Sequence, residues 1–113
     1  MKLQVLAVLV LSSLSLVACG GEPANQTQKP RIAVVPKGAT HVFWQAVGTG
    51  AKAAGVRTGL DVVWKAPLQE NDRAQQIQLV QQLVGDGIQG LALAPLDHAA
   101  LVPAVADCKR RGI

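Results

Sequence analysis

Arg31-Ile32-Ala33-Val34-Val35-Pro36-Lys37-Gly38-Ala39-Thr40-His41-Val42-Phe43-Trp44 changes character at its middle. Ile32 to Val35 is a short apolar run rich in β-branched residues, the pattern of a buried strand. Pro36 and Gly38 stop it, since proline lacks a ladder donor and both residues favour turns. From Val42 a helical pattern begins. The stretch therefore reads as strand, polar turn and helix entry, with Lys37, Thr40, His41, Phe43 and Trp44 gathered around the turn. In parallel α/β sheets, ligands sit outside the carboxyl ends of the strands. This turn is thus expected to form one wall of a ligand site, with the later turns of the chain facing it.

Downstream, the same unit repeats. Phe43 to Gly55 carries Phe43, Val47 and Ala51 at helical spacing among small residues, a face that lets a helix approach a sheet closely. Gly55 and Gly59 are stop signals. Leu60 to Lys65 is β-branched and aromatic and reads as a second strand, ended by Ala66-Pro67. Asn71 or Asp72 then caps a long helix, with Gln75 at the capping-box position if Asp72 is the cap. In that helix Ala74, Ile77, Val80, Leu83 and Val84 form an apolar stripe, and Gln75, Gln76, Gln78, Gln81 and Gln82 are assigned to the opposite face. Gly85-Asp86-Gly87 stops it, and Gly90 to Ala94 reads as a buried third strand bounded by Pro95. Leu101, Val102, Val105 and Cys108 mark a last helix, which must start near Leu101 so that Pro103 falls in its first turn. Gly112 closes it, and Ile113 reads as the start of a fourth strand. Alternating strands and helices of these lengths predict a three-layer α/β fold with a parallel sheet of Rossmann-like or flavodoxin-like type, in strand order 2-1-3. The chain is expected to be a piece of a longer protein.

Upstream, Met1-Lys2 is a short positive start, and Leu3 to Val17 is an apolar run interrupted by Gln4, Ser12, Ser13 and Ser15. A membrane span needs about 20 apolar residues, so this reads as a secretory leader over 1–18. Leu16-Val17-Ala18-Cys19 resembles the lipobox of bacterial lipoproteins, which implies cleavage before Cys19 and lipidation of its thiol. An ordinary signal peptide cut after Ala18 is the alternative. Residues 19–30, rich in Gly, Pro and amides, read as a disordered tether, so the folded part is expected over 31–113. The localisation expected is export, with a lipid anchor at the periplasmic or extracellular face of the cell membrane.

The 113 residues suit about one domain. The formal charge of +4 is scattered, and the one basic cluster, Lys109-Arg110-Arg111, falls at a helix C-terminus where cations suit the dipole. A nucleic-acid partner would need a basic stripe, which is absent. Cys19 and Cys108 do not read as a pair, and His41 and His98 lack ligand-spaced neighbours, so no metal and no cofactor is expected. No phosphate-cradling loop follows a strand and no serine lies beyond the leader to act as a nucleophile; Thr40, Glu70, Asp72 and Asp97 could do acid–base work, but the sequence shows no pairing of them, and the expectation is a binding protein rather than an enzyme.

On the expected rim the first turn supplies a cation, a hydroxyl, an imidazole and two rings; the second supplies Gln69, Glu70, Asn71 and Asp72; the third supplies Asp97 and His98. Flat apolar faces with a few polar groups suit a small polar ligand with apolar patches, such as a sugar. The candidate binding residues are Lys37, Thr40, His41, Phe43, Trp44 and Asp97. Each has a plainer role open to it. Lys37 is otherwise a solvated turn residue, and His41 and Asp97 are otherwise caps. Phe43 and Trp44 point about 100° apart on a helix, so one can serve the core while the other serves the site. Asp72 reads as an N-cap, Trp64 as core packing and Cys108 as a small buried hydrophobe.

Several motifs taken together resemble the sugar-binding type of periplasmic binding protein, the solute receptor of ABC transporters. They are Ile32 to Gly38, Phe43-Trp44 with the small-residue helix to Gly55, Ala66-Pro67 with Glu70 to Asp72, Gln76-Ile77, Gln81 to Val84, Gly90 to Pro95 and the closing Arg111-Gly112-Ile113. The resemblance spans 31–113 and implies two α/β lobes closing on one ligand, this chain holding most of the first. It implies that the rings at Phe43 and Trp44 stack on a sugar and that Thr40 and His41 hydrogen-bond it. Members with a Pro-Lys turn, including receptors for a furanosyl quorum signal, use that lysine, which falls on Lys37. Ribose-type members carry Asn where this chain has Ala94, so the hydrogen bond to ribose made there is missing. The implied partners are a small-molecule sugar and a membrane ABC permease, with the protein itself a monomer. A sensory receptor of the same fold, presenting the ligand to a chemoreceptor or sensor kinase, is the alternative. A DNA-binding repressor of this sensor fold is disfavoured by the leader.

Overall fold

The computed structural model describes residues 28–113. The leader expected over 1–18, the lipidation expected at Cys19 and all of the tether but Gln28, Lys29 and Pro30 lie outside the described residues. The elements run β1 (Arg31–Val35), α1 (Val42–Thr58), β2 (Asp61–Trp64), α2 (Arg73–Gly85), β3 (Gly90–Leu93) and α3 (Val102–Arg110). The three strands are parallel in the order β2-β1-β3, with Ala33 level with Val63 on one side and Leu91 on the other. At the start of β1, Arg31 is tied down by Asp61 at 3.3 Å and by the Asp86 carbonyl at 3.0 Å.

Local chemistry sets the boundaries. Asp72 accepts the Gln75 N–H at 2.9 Å and caps α2. The Gln75 side chain does not complete a capping box; its Oε1 accepts the Leu68 N–H at 2.6 Å instead. Gly59 closes α1 in the left-handed conformation at φ 72°, where a Cβ would be strained. Pro103 sits in the first turn of α3, where its missing N–H removes no helix bond.

Strand alternation divides the packing into two faces. Ala33 and Val35, with Val63, Leu91 and Leu93, meet Val80, Leu83, Val84 and Ile88 from α2 and its exit, and Ala104 and Cys108 from α3. On the opposite face α1 rides over β2. A Cβ on Gly48 would stand 3.1 Å from the Trp64 ring, and one on Gly55 would stand 2.6 Å from Val62 Cγ2. The result is a parallel three-stranded α/β sheet with helices on both faces, as the alternation of elements predicts.

Three expectations need correction. In α1 the face against the sheet runs through Trp44, Gly48, Ala51 and Gly55, while Phe43 and Val47 are exposed. The bulky Trp64 and Val62 fill the space that larger helix residues would need. In α2 Gln76 is not on the solvated face; it is fully buried. β3 is half-buried with Ala92 exposed, because it is an edge strand and α1 lies over the β2 side. Ile113 packs against the α2–α3 core.

Candidate ligand site on the strand-end rim

Because the strands are parallel, the segments leaving β1, β2 and β3 emerge on one edge of the sheet. Side chains then join them. A Cβ on Gly38, in the first turn, would lie 2.5 Å from Glu70 Cγ, so glycine lets the first and second turns touch. Arg73, at the start of α2, reaches Asp97 in the third turn at 2.9 Å. Below them Gln76 donates from Nε2 to the Pro36 and Ala94 carbonyls, at 2.9 Å each, and accepts the Leu96 N–H at 2.8 Å.

Within the first turn His41 is the N-cap of α1, its Nδ1 accepting the Phe43 N–H at 3.1 Å. The imidazole is therefore held with Nε2 as its free position. Thr40 is exposed, and its carbonyl accepts a bond from Gln45. Phe43 is 57% exposed and stands edge-to-face with the half-buried Trp44, at 4.8 Å between ring centres and 77° between planes. Lys37 is exposed beside them.

Two hollows open at this edge. Thr40 and His41, with Gln69, Glu70 and Asn71, line an open polar one of about 660 Å³. Trp44, with Val34, Pro36, Val47, Ala92 and Ala94, lines a smaller one of about 220 Å³, almost all apolar. Lys37, Phe43 and Asp97 line neither. Asp97 sits apart: its Oδ1 accepts the Ala99 and Ala100 N–H groups and its Oδ2 takes the Arg73 guanidinium. Those backbone bonds, Ala100 first, and the Arg73 contact hold its carboxyl below the usual range. Burial pushes the Cys108 thiol up, as suits a small hydrophobe in the core. Among the described residues no group of His, Cys, Asp and Glu is arranged to hold a metal ion.

The structure thus places Thr40 and His41 on the polar hollow and Trp44 on the apolar one, sets Phe43 against Trp44, leaves Lys37 on the same turn, and engages Asp97 with Arg73. The residue that sequence reasoning missed is Gln76. A signal was available: Gln76, Val80 and Leu83 fall on one helical face, so extending the buried stripe back by one turn lands on it.

An edge built from parallel strand ends, with a polar hollow and an aromatic pair on the turn and helix that follow β1, is where parallel α/β sheets hold ligands. The model of the periplasmic binding protein domain matches residues 32–113, and the chain belongs to that family. A curated relative, the D-ribose/D-allose-binding protein of Pseudomonas aeruginosa, is 33% identical over 109 residues, covering 95% of this chain and 34% of the relative. An ABC transporter solute-binding protein from Burkholderia multivorans, solved with an unknown ligand represented as α-D-erythrofuranose, is 32% identical with a TM-score of 0.72. That match covers 76% of this chain and 31% of the other. The periplasmic component of an ABC-type sugar transport system from Hahella chejuensis is 29% identical with a TM-score of 0.71, over 74% of this chain and 31% of that one. The fold is that of the sugar-binding solute receptors of ABC transporters. The chain spans about a third of the length of the curated relative, 34%.

Proposed function

We propose that the intact protein is the substrate-binding component of an ABC transporter and holds a sugar or sugar-like solute between this lobe and a second one. The observation that carries this reading is the exposed Phe43 beside Trp44 on the strand-end rim. A phenyl ring left in solvent at that edge serves no core, whereas a sugar's C–H face would cover it. The relatives support the solute class: one is named for D-ribose and D-allose, another is a component of a sugar transport system. Thr40 and His41 would hydrogen-bond the solute, and Lys37 would reach it from the same turn. Asp97 would act mainly by holding Arg73 in place and secondarily as an acceptor. Closure of the two lobes would be biased by the ligand, as in hinge-type receptors. Lipidation of Cys19 would keep the protein at the membrane beside its permease.

The test is calorimetric titration of the intact protein with D-ribose, D-allose and other monosaccharides. One sugar is expected to bind and raise the melting temperature. Phe43→Ala should weaken that sugar about tenfold or more, roughly 1.4 kcal/mol upward. Unchanged affinity in the variant would reject the stacking role, and no binding across the sugars would reject the solute class.

A further inference from the structure

Gln76 is 0% exposed, and none of its polar atoms lacks a partner. Its partners are not scattered. Pro36 and Ala94 are the residues that immediately follow β1 and β3, and Leu96 lies two further along the third turn. We propose that Gln76 is the positioning residue of the ligand rim: through one buried amide it fixes the turn after β1 to the turn after β3. This deepens the sugar-binding reading and rests on it for the identity of what the rim holds.

Chemistry leaves little choice of side chain here. Two carbonyls need two donors, and one N–H needs an acceptor. A primary amide supplies both on one planar group. A carboxylate has no donor, an ammonium has no acceptor, and a hydroxyl has one hydrogen for two carbonyls. The amide can sit in one sense only, since reversing it would set oxygen against two carbonyl oxygens. The other contacts between turns, Gly38 with Glu70 and Arg73 with Asp97, involve exposed side chains. Gln76 is the buried one, and it alone among them grips backbone at both the first and the third turn. The first turn runs directly from Pro36 into Lys37, Thr40, His41 and Trp44, so displacing Pro36 displaces the ligand wall.

A merely structural glutamine would affect stability but not the affinity of folded protein. The two roles separate in the intact protein, with D-ribose and D-allose as probes, at a temperature well below the melting transition. Gln76→Met, which fills similar volume without donors, should weaken sugar binding about tenfold or more, because the binding edge is no longer preorganised. Leu83→Ala, a core truncation away from the rim, should lower the melting temperature and leave affinity unchanged. Gln76→Glu adds a signature. Protonated, it regains one O–H donor; ionised, it faces two carbonyls with none. Its affinity should therefore rise as pH falls, relative to wild type. Equal affinity in wild type and Gln76→Met, or an equal loss in Leu83→Ala, would overturn the proposal. Deuterium uptake supplies a readout without ligand: peptides covering 36–44 and 94–98 should exchange faster in Gln76→Met but not in Leu83→Ala. Unchanged uptake there would overturn it too. Should wild type bind neither sugar, the sugar reading falls while the uptake measurement still decides the role of Gln76.

Discussion

His41 caps α1 and also lines the polar hollow. Its Nδ1 accepts the Phe43 N–H at 3.1 Å, a capping duty, and that bond fixes the ring with Nε2 as its other polar position. Asp97 divides differently, because both of its oxygens are taken by Arg73 and by backbone. Its depressed folded value has a testable sign. The stabilisation is complete above the ordinary carboxylate value of 3.8 and is lost as pH falls through the lower folded value. Asp97→Asn should therefore melt below wild type at neutral pH, and the two melting curves should converge in strong acid; a gap independent of pH would show that charge plays no part. Caps such as Asp72 were legible because their residue type and spacing carry the mechanism. Gln76 was only half legible, because residue type argued for water while helical phase argued for the core. Three backbone groups, all remote in sequence, settled the matter.

Helix α1 depends on two glycines for its distance from the sheet and is indifferent to a third. At Gly55 a Cβ would meet Val62 Cγ2 at 2.6 Å and the Leu60 carbonyl at 3.0 Å, and the latter is backbone that cannot rotate away. Gly55→Ala is expected to cost about 1–3 kcal/mol despite its better helix propensity. At Gly50 nothing lies within 4 Å, so Gly50→Ala should stabilise by about 0.5–1 kcal/mol. Denaturant melts of the two variants should move in opposite directions; a Gly55→Ala protein as stable as wild type would show that the helix can lift off without loss. The small-residue pattern made this close approach legible in the sequence, but it did not say which face was used. Spacing alone could not distinguish a stripe through Phe43 and Val47 from one through Gly48 and Gly55, and the side chains of β2 decided it.

For the molecule as a whole, the alternation of elements implied a parallel sheet, and from that followed a common edge for the outgoing turns. What no local pattern could supply is the opposing wall. In the proposed two-lobe receptor, half the contacts come from elsewhere, so the 113-residue chain alone should bind sugar on the order of a hundredfold more weakly than the intact protein. Side-by-side titrations would check this, and equal affinity would contradict the two-lobe account. One consequence follows from how β1 is entered. Gln28 to Pro30 lead in at the end where Arg31 is clamped by Asp61 and Asp86, and the strand then runs five residues, about 16 Å at 3.3 Å each, before its turn opens. A leash attached ahead of Gln28 would therefore join the sheet at the end away from the outgoing turns and leave that doorway unobstructed.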